Sequence, residues 1–294
     1  MRDMTGAPGK TIPGSQELLQ SLQKIEEAQQ APIHSITWCW DREGDTGSLD
    51  WGCRSDRGTC SAEALQNRFQ KIAEGAEYPY LLYLPPDYDP RRECPAILFL
   101  HGIGERGKDA LVLADYGPFQ YILRGHRLPF IVIAPVLEAS YHWVEDDQGC
   151  ETDRQMRRLE RFIGQMRRRY AIDPQRIMLT GLSMGGRGAY KLACALPDVF
   201  AAAAICCGRA APREAPDRFY YQLEEIRFPC WIFHGLQDAV VNPEHALACA
   251  RRLRSLDAQR PLRLTLYPHI GHDCYVPAYL EPRLYGWFEE KRKG

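Results

Sequence analysis

From about Phe69 to the C-terminus, short apolar runs alternate with amphipathic stretches, and this rhythm limits the possible folds more than any other feature. Candidate strands fall at Tyr80–Leu84, Ala96–Leu100, Phe130–Ala134, Ile177–Thr180, Ala201–Cys206, Cys230–Phe233 and Leu262–Tyr267. Over Asp153–Tyr170, the residues Met156, Leu159, Ile163, Met166 and Tyr170 recur at helical spacing. Further helices are expected from Met184, near Pro243 and near Tyr279. A strand with one wet face alternates apolar and polar residues. These runs do not alternate strictly, so both of their faces should be covered. Such strands, separated by helices, predict an α/β fold with a mostly parallel central sheet and helices on both faces. In sheets of that kind reactive groups gather beyond the carboxyl ends of the strands, so those loops are where chemistry is expected.

The 294 residues suffice for one large α/β domain or two small ones. A 45% hydrophobic and 26% charged composition is that of a globular chain rather than a disordered one. The formal net charge of −1 supplies no global field toward nucleic acid or an anionic membrane, and neither is expected as a partner. No apolar run is long enough to span a bilayer. The 11 cysteines are odd in number, scattered and without a C-x-x-C pair, and the opening M-R-D-M-T-G-A-P-G-K lacks the apolar core of a secretory signal. Together these predict free thiols and a cytoplasmic setting.

Residues 1–65 read as an N-terminal extension preceding a domain over 66–294. It holds a polar lead-in with a helical stretch, Gln16–Gln29, whose stripe is Leu18, Leu19, Leu22 and Ile25. S-I-T-W-C-W, the turn-rich D-R-E-G-D-T-G and S-L-D-W-G-C then predict a β-hairpin carrying Trp38, Trp40 and Trp51. It is either an extra hairpin packed on the main domain or a flap near the active site. G-A-P-G-K-T fails as a phosphate loop, because Met4 stands where the first glycine is needed and no apolar strand precedes it.

The strongest local signal is R-I-M-L-T-G-L-S-M-G-G-R-G-A-Y, residues 176–190. An apolar strand runs into Gly181-Leu182-Ser183-Met184-Gly185 and a helix pattern follows, which is the context a nucleophile elbow requires. The turn demands small residues two before and two after the serine, and Gly181 and Gly185 supply them. The pentapeptide alone would occur by chance in roughly one chain in ten of this length, so the flanking strand and helix carry the weight.

A serine hydroxyl needs a base to become a useful nucleophile, and the partners of an elbow serine follow in the order acid, then histidine. C-W-I-F-H-G-L-Q-D-A-V-V supplies a strand and then Asp238, and L-R-L-T-L-Y-P-H-I-G-H-D supplies a strand and then His272. His269 and Asp273 are rivals. His269 follows the strand and Pro268 directly, whereas Gly271 frees the loop of His272. Asp273 would have to fold back onto its neighbour. His101 and His234 end strands and are expected to be packed, hydrogen-bonded histidines. The oxyanion of an acyl-transfer intermediate needs two donors. One candidate is the N–H of Met184. The other comes from His101-Gly102-Ile103-Gly104-Glu105-Arg106-Gly107, with Ile103 N–H favoured and Gly102 as its close rival.

With these residues in view, Y-L-L-Y-L-P-P-D-Y-D-P, H-G-I-G-E-R-G, D-P-Q-R-I-M-L-T-G-L-S-M-G-G, W-I-F-H-G-L-Q-D-A-V-V and G-H-D-C-Y-V-P-A-Y resemble the α/β-hydrolase superfamily. The resemblance is to its predicted peptidase and esterase branch, near feruloyl-esterase and polyhydroxybutyrate-depolymerase-like enzymes and the phospholipase/carboxylesterase group, and it covers about Phe69 to Lys291. It implies carboxylic-ester hydrolysis of a small-molecule substrate with no metal or organic cofactor. By the motifs it puts the nucleophile on Ser183, the acid on Asp238, the base on His272 and an oxyanion donor on Ile103. Many such relatives are secreted and carry Trp shortly after H-D-x, where Cys274-Tyr275 stands here.

Tyr141-His142-Trp143 follows the Phe130–Ala134 strand in a loop expected to face the cleft. Trp143 and Tyr275 are the candidate substrate-binding residues, Trp143 with an ordinary loop anchor as its other reading. The arginines between Arg154 and Arg169 share a helix with an apolar stripe and so predict a solvated face. The chain therefore reads as a serine esterase. The alternatives are a peptidase of the same fold, a binding protein on a hydrolase scaffold and a metal site at His269, His272 and Asp273, which lie in one short loop without second ligands at metal spacing.

Overall fold

The structure, a computed structural model, describes residues 14–29, 33–41, 44–51, 68–145, 153–211 and 221–294. Ten strands form one sheet: β1 (Ile33–Asp41), β2 (Gly44–Trp51), β3 (Gln70–Ile72), β4 (Tyr80–Tyr83), β5 (Cys94–Leu100), β6 (Ile131–Pro135), β7 (Ile172–Leu182), β8 (Ala202–Cys206), β9 (Cys230–Gly235) and β10 (Leu262–Tyr267). Their order across the sheet is β2-β1-β10-β9-β8-β7-β5-β6-β4-β3. The six strands from β10 to β6 are mutually parallel, and antiparallel pairs flank them at both edges. The mostly parallel sheet expected from the unalternating runs is present.

Seven helices accompany the sheet among the described residues: α1 (Ser15–Gln29), α2 (Gly117–Leu123), α3 (Arg154–Arg169), α4 (Met184–Ala195), α5 (Glu244–Leu256), α6 (Tyr275–Tyr279) and α7 (Pro282–Glu289). The sheet separates two apolar cores. In β5, Ala96, Leu98 and Leu100 enter one core, while Ile97 and Phe99 enter the other. In β7, Ile177 and Leu179 face the first and Met178 and Leu182 the second. Successive side chains of a strand point to opposite faces, so a strand covered on both sides must be apolar at every position. The first core takes the buried faces of α3, α4 and α5 and the second those of α2, α6 and α7. In α3 the stripe Met156, Leu159, Ile163 and Met166 is buried, while Arg154, Arg158 and Arg161 pair with Glu145, Glu138 and Glu77.

The hairpin of β1 and β2 extends this same sheet. β1 runs antiparallel to β10, with Ile36 opposite Leu266 and Trp40 opposite Leu262. Its paired residues Asp41 and Gly44 therefore lie beside the start of β10, at the end of the sheet away from the strand tips that carry the site. The flap reading is corrected by this register. Trp38 packs partly buried against the first core, and the side chains of Trp40 and Trp51 lie outside the described residues. Helix α1 buries Leu18 and Leu22 in that core, and the Ser15 N–H donates to the Glu244 carboxylate of α5. The G-A-P-G-K-T segment lies outside the described residues.

Among the described residues none of the eight cysteines forms a disulfide, and no helix is long and apolar enough to cross a membrane.

Candidate active site

Strand β7 ends at Leu182 and helix α4 begins at Met184, so one residue, Ser183, makes the whole reversal. Its backbone is at φ 53°, ψ −116°, a region where a residue with a Cβ is strained by roughly 1–3 kcal/mol. The strain is held by the surroundings: Ser183 N–H donates to Cys206 O in β8, and Ser183 O accepts from Arg187 N in α4. The flanking glycines are required by close approach. A Cβ on Gly181 would lie 2.3 Å from Gly185 O, and one on Gly185 would lie 1.9 Å from Leu100 O.

The structure brings the three residues singled out for acyl transfer together. His272 Nε2 is 2.8 Å from Ser183 Oγ, and His272 Nδ1 is 2.8 Å from Asp238 Oδ2. Ser183 and His272 are partly exposed, whereas Asp238 is buried. The remaining Asp238 oxygen, Oδ1, accepts from Val240 N and Val241 N at 2.8 and 2.9 Å. The rival His269 turns away and pairs through Nε2 with Glu26 of α1 at 2.6 Å. Among the described residues no group of three His, Cys, Asp or Glu side chains is arranged to hold a metal ion.

Asp238 has a further neighbour that the sequence did not reveal. His234, at the end of β9, places Nε2 3.1 Å from Asp238 Oδ2 and 2.9 Å from Val241 O, so its ring N–H is shared between them. The spacing H-G-L-Q-D holds both residues, and Gly235 between them has no room for a Cβ, which would lie 2.1 Å from Gly271 O. Burial pushes the Asp238 carboxyl up, yet the hydrogen bonds from His234, His272 and Val241 N–H outweigh it and hold the group well below the usual carboxylate range. A carboxyl depressed below its unfolded value of about 4 stabilises the fold above that pH, and the contribution fades as pH falls through the folded value. Asp238→Asn is therefore expected to be destabilised most near neutrality, with its deficit against the wild type closing as pH drops below about 4. Urea-unfolding midpoints measured across that range check this, and a deficit independent of pH would contradict it.

Met184 and Ile103, the two residues expected to offer oxyanion N–H groups, each open a helical turn, Met184 that of α4 and Ile103 a 3-10 turn over Ile103–Glu105. N–H groups in a first helical turn have no intrahelical acceptor and stay available. The loop runs alongside the serine, since a Cβ on Gly102 would be 3.9 Å from Ser183 Cβ. Glu105, buried at the end of that turn, is pushed up by burial, against the Gly102 N–H, the Lys108 charge and the Tyr116 hydroxyl that favour its charged form. It braces the loop from beneath, a role its sequence position did not disclose.

Trp143 is corrected as a substrate-binding residue. It is fully buried, its indole N–H donates to His101 O at 2.9 Å, and it packs against Gly188 of α4. It anchors the loop beneath the site and offers no face to a ligand. His101 is likewise buried, as expected of a packed strand end. Its Nδ1–H donates to Gly102 O at 2.7 Å, its Nε2 accepts from Leu137 N at 3.0 Å, and burial holds its pKa down to about 4. Tyr275 is partly exposed, its ring 6.2 Å from that of Tyr116. It borders the His272 loop from the side of α2.

A family model described as "Putative esterase" matches residues 73–260. Among curated proteins, dipeptidyl-peptidase 5 of Porphyromonas gingivalis is 29% identical over 135 residues, which is 44% of this chain and 19% of that protein. Among solved structures, a thermostable esterase superposes with a TM-score of 0.63 and 24% identity, covering 88% of this chain and 72% of the other. A ferulic acid esterase from the anaerobic fungus Anaeromyces mucronatus superposes with a TM-score of 0.51 and 18% identity, covering 76% of this chain and 90% of the other. These superpositions show a shared α/β-hydrolase fold.

Proposed function

The chain belongs to the esterase family whose model it matches, and on that premise we propose that it cleaves carboxylic esters through an acyl-enzyme on Ser183. The observation that carries this reading is the unbroken hydrogen-bond line from Asp238 through His272 to Ser183. Ser183 Oγ attacks the ester carbonyl while His272 Nε2 takes its proton. Asp238, bonded to Nδ1, holds the ring in the required tautomer and stabilises the imidazolium. The carbonyl oxygen, now an anion, is received by the N–H groups of Met184 and Ile103. His272 returns the proton to the departing alcohol. A water, deprotonated by the same ring, then releases the acid and restores Ser183.

Esters are favoured over amides because an alcohol leaves more readily than an amine. The apolar part of the substrate meets Ile103 and Val240, large hydrophobic side chains that are 52% and 49% exposed on loops beyond β5 and β9. Tyr275 is proposed as a further wall. The likeness to a dipeptidyl-peptidase makes peptides the competing substrate class. Incubation with short-chain aryl esters and with unblocked peptide amides separates the two. Ester turnover with little or no peptide turnover is expected, and peptide turnover alone would make the protein a peptidase.

A further inference from the structure

Beyond β5 and β6 two nitrogen-rich side chains, Arg106 and His142, meet on loops near the nucleophile. Arg106, on the loop that carries Ile103, is held in place by its neighbours. Its Nε donates to Ile103 O at 3.2 Å and its Nη1 to Tyr141 O at 3.0 Å. Nη1 also lies 3.3 Å from His142 Nε2. Arg187 stands one turn into α4, its backbone N–H bonded to Ser183 O. The Arg187 side chain donates from Nε to the Tyr221 hydroxyl at 3.2 Å, and burial, then the charges of Arg106 and Arg187, push His142 below the ordinary histidine value. A neutral His142 accepts from Arg106 and adds no positive charge of its own.

Among the described residues the nearby carboxylates are committed elsewhere. Glu138 pairs with Arg158, Glu145 with Arg154, and Glu105 turns under the Gly102 N–H. Among the described residues no carboxylate pairs with Arg106, and no group accepts from its Nη2. A partly exposed guanidinium fixed by two backbone carbonyls, with an edge left over, is pre-organised to receive a planar anion. It is hydrogen-bonded to the carbonyl of Ile103, the residue proposed as an oxyanion donor.

We propose that Arg106, with His142 beside it, forms an anion subsite at the mouth of the cleft, so that the preferred ester carries a carboxylate on its acyl or alcohol part. This deepens the esterase reading and rests on it.

Two pairs of probes test the subsite and distinguish the two sides of the ester. Mono-aryl glutarate against aryl pentanoate places the carboxylate on the acyl side, and 4-acetoxybenzoate against its methyl ester places it on the alcohol side. In at least one pair the wild type is expected to favour the anion in kcat/KM by about tenfold or more, the yield of one charge-assisted hydrogen bond. Arg106→Gln should bring that ratio close to parity. Arg91→Gln removes the same charge from an exposed residue between β4 and β5, at the opposite end of the sheet, and should keep the ratio. Equal rates within both pairs for the wild type, or equal loss of preference in both variants, would overturn the subsite while leaving the esterase reading intact. Failure to turn over any of the four esters would count against the esterase reading instead. Calorimetric binding of glutarate and of 4-hydroxybenzoate needs no turnover, and affinities for both that Arg106→Gln leaves unchanged would overturn the subsite on their own.

Discussion

Ser183→Ala is expected to lower kcat on aryl esters by about a millionfold and to leave the fold intact. Without Oγ no acyl-enzyme can form, and only the N–H donors and binding remain to act on a water molecule. The fold survives because the strained φ of 53° belongs to the backbone, and alanine meets the same steric limits there as serine. His272→Ala should cost nearly as much, and the double variant little more than either, since the two groups act as one unit. A fluorophosphonate probe gives a reading independent of substrate choice. It should label the wild type and leave Ser183→Ala unmodified, and equal labelling of both would move the nucleophile elsewhere.

The second large effect falls on stability. Lys191 of α4 and Asp153, the residue before α3, form an ion pair at 2.9 Å in which both side chains are fully buried. Asp153 also caps α3 by accepting from Gln155 N and Met156 N, and it accepts from Glu145 N. Lys191→Met removes the counter-charge and leaves a buried carboxylate that still accepts from the backbone N–H groups of Gln155, Met156 and Glu145. Breaking a buried pair from one side costs about 3–5 kcal/mol, and the surviving N–H donors argue for the lower end. Adding Asp153→Asn should recover part of the loss, because the uncompensated charge is then gone. Urea denaturation of the three variants measures it. A loss for Lys191→Met below about 1 kcal/mol, the range of a surface pair, would show that water reaches the site.

The central strands were legible because burial on both faces leaves few polar positions, and the runs at Ile97, Val132, Leu179 and Ile232 announce this directly. Ser183, Asp238 and His272 were legible because each follows such a run and the elbow demands glycines at 181 and 185. The features that escaped depend on contacts between distant segments. Nothing in S-I-T-W-C-W names Leu262–Tyr267 as its partner, since backbone hydrogen bonds carry no residue signature. Trp143 reads as a loop aromatic until Gly188 and the His101 carbonyl are seen to enclose it. The short β3 and α2 fall below the length at which periodicity can be recognised.

The three groups of the site hang from β7, β9 and β10, and β8 lies between the first two. Adjacent strands are spaced by about 4.8 Å, so the separation of serine from acid is fixed by the repeat of the sheet, and an imidazole reaching back from its far side bridges it. The connecting segments are free of that constraint. Insertions and exchanges between strand tips can reshape what enters the cleft while the chemistry stays in register. A change that slips one strand past its neighbour would disassemble it at once.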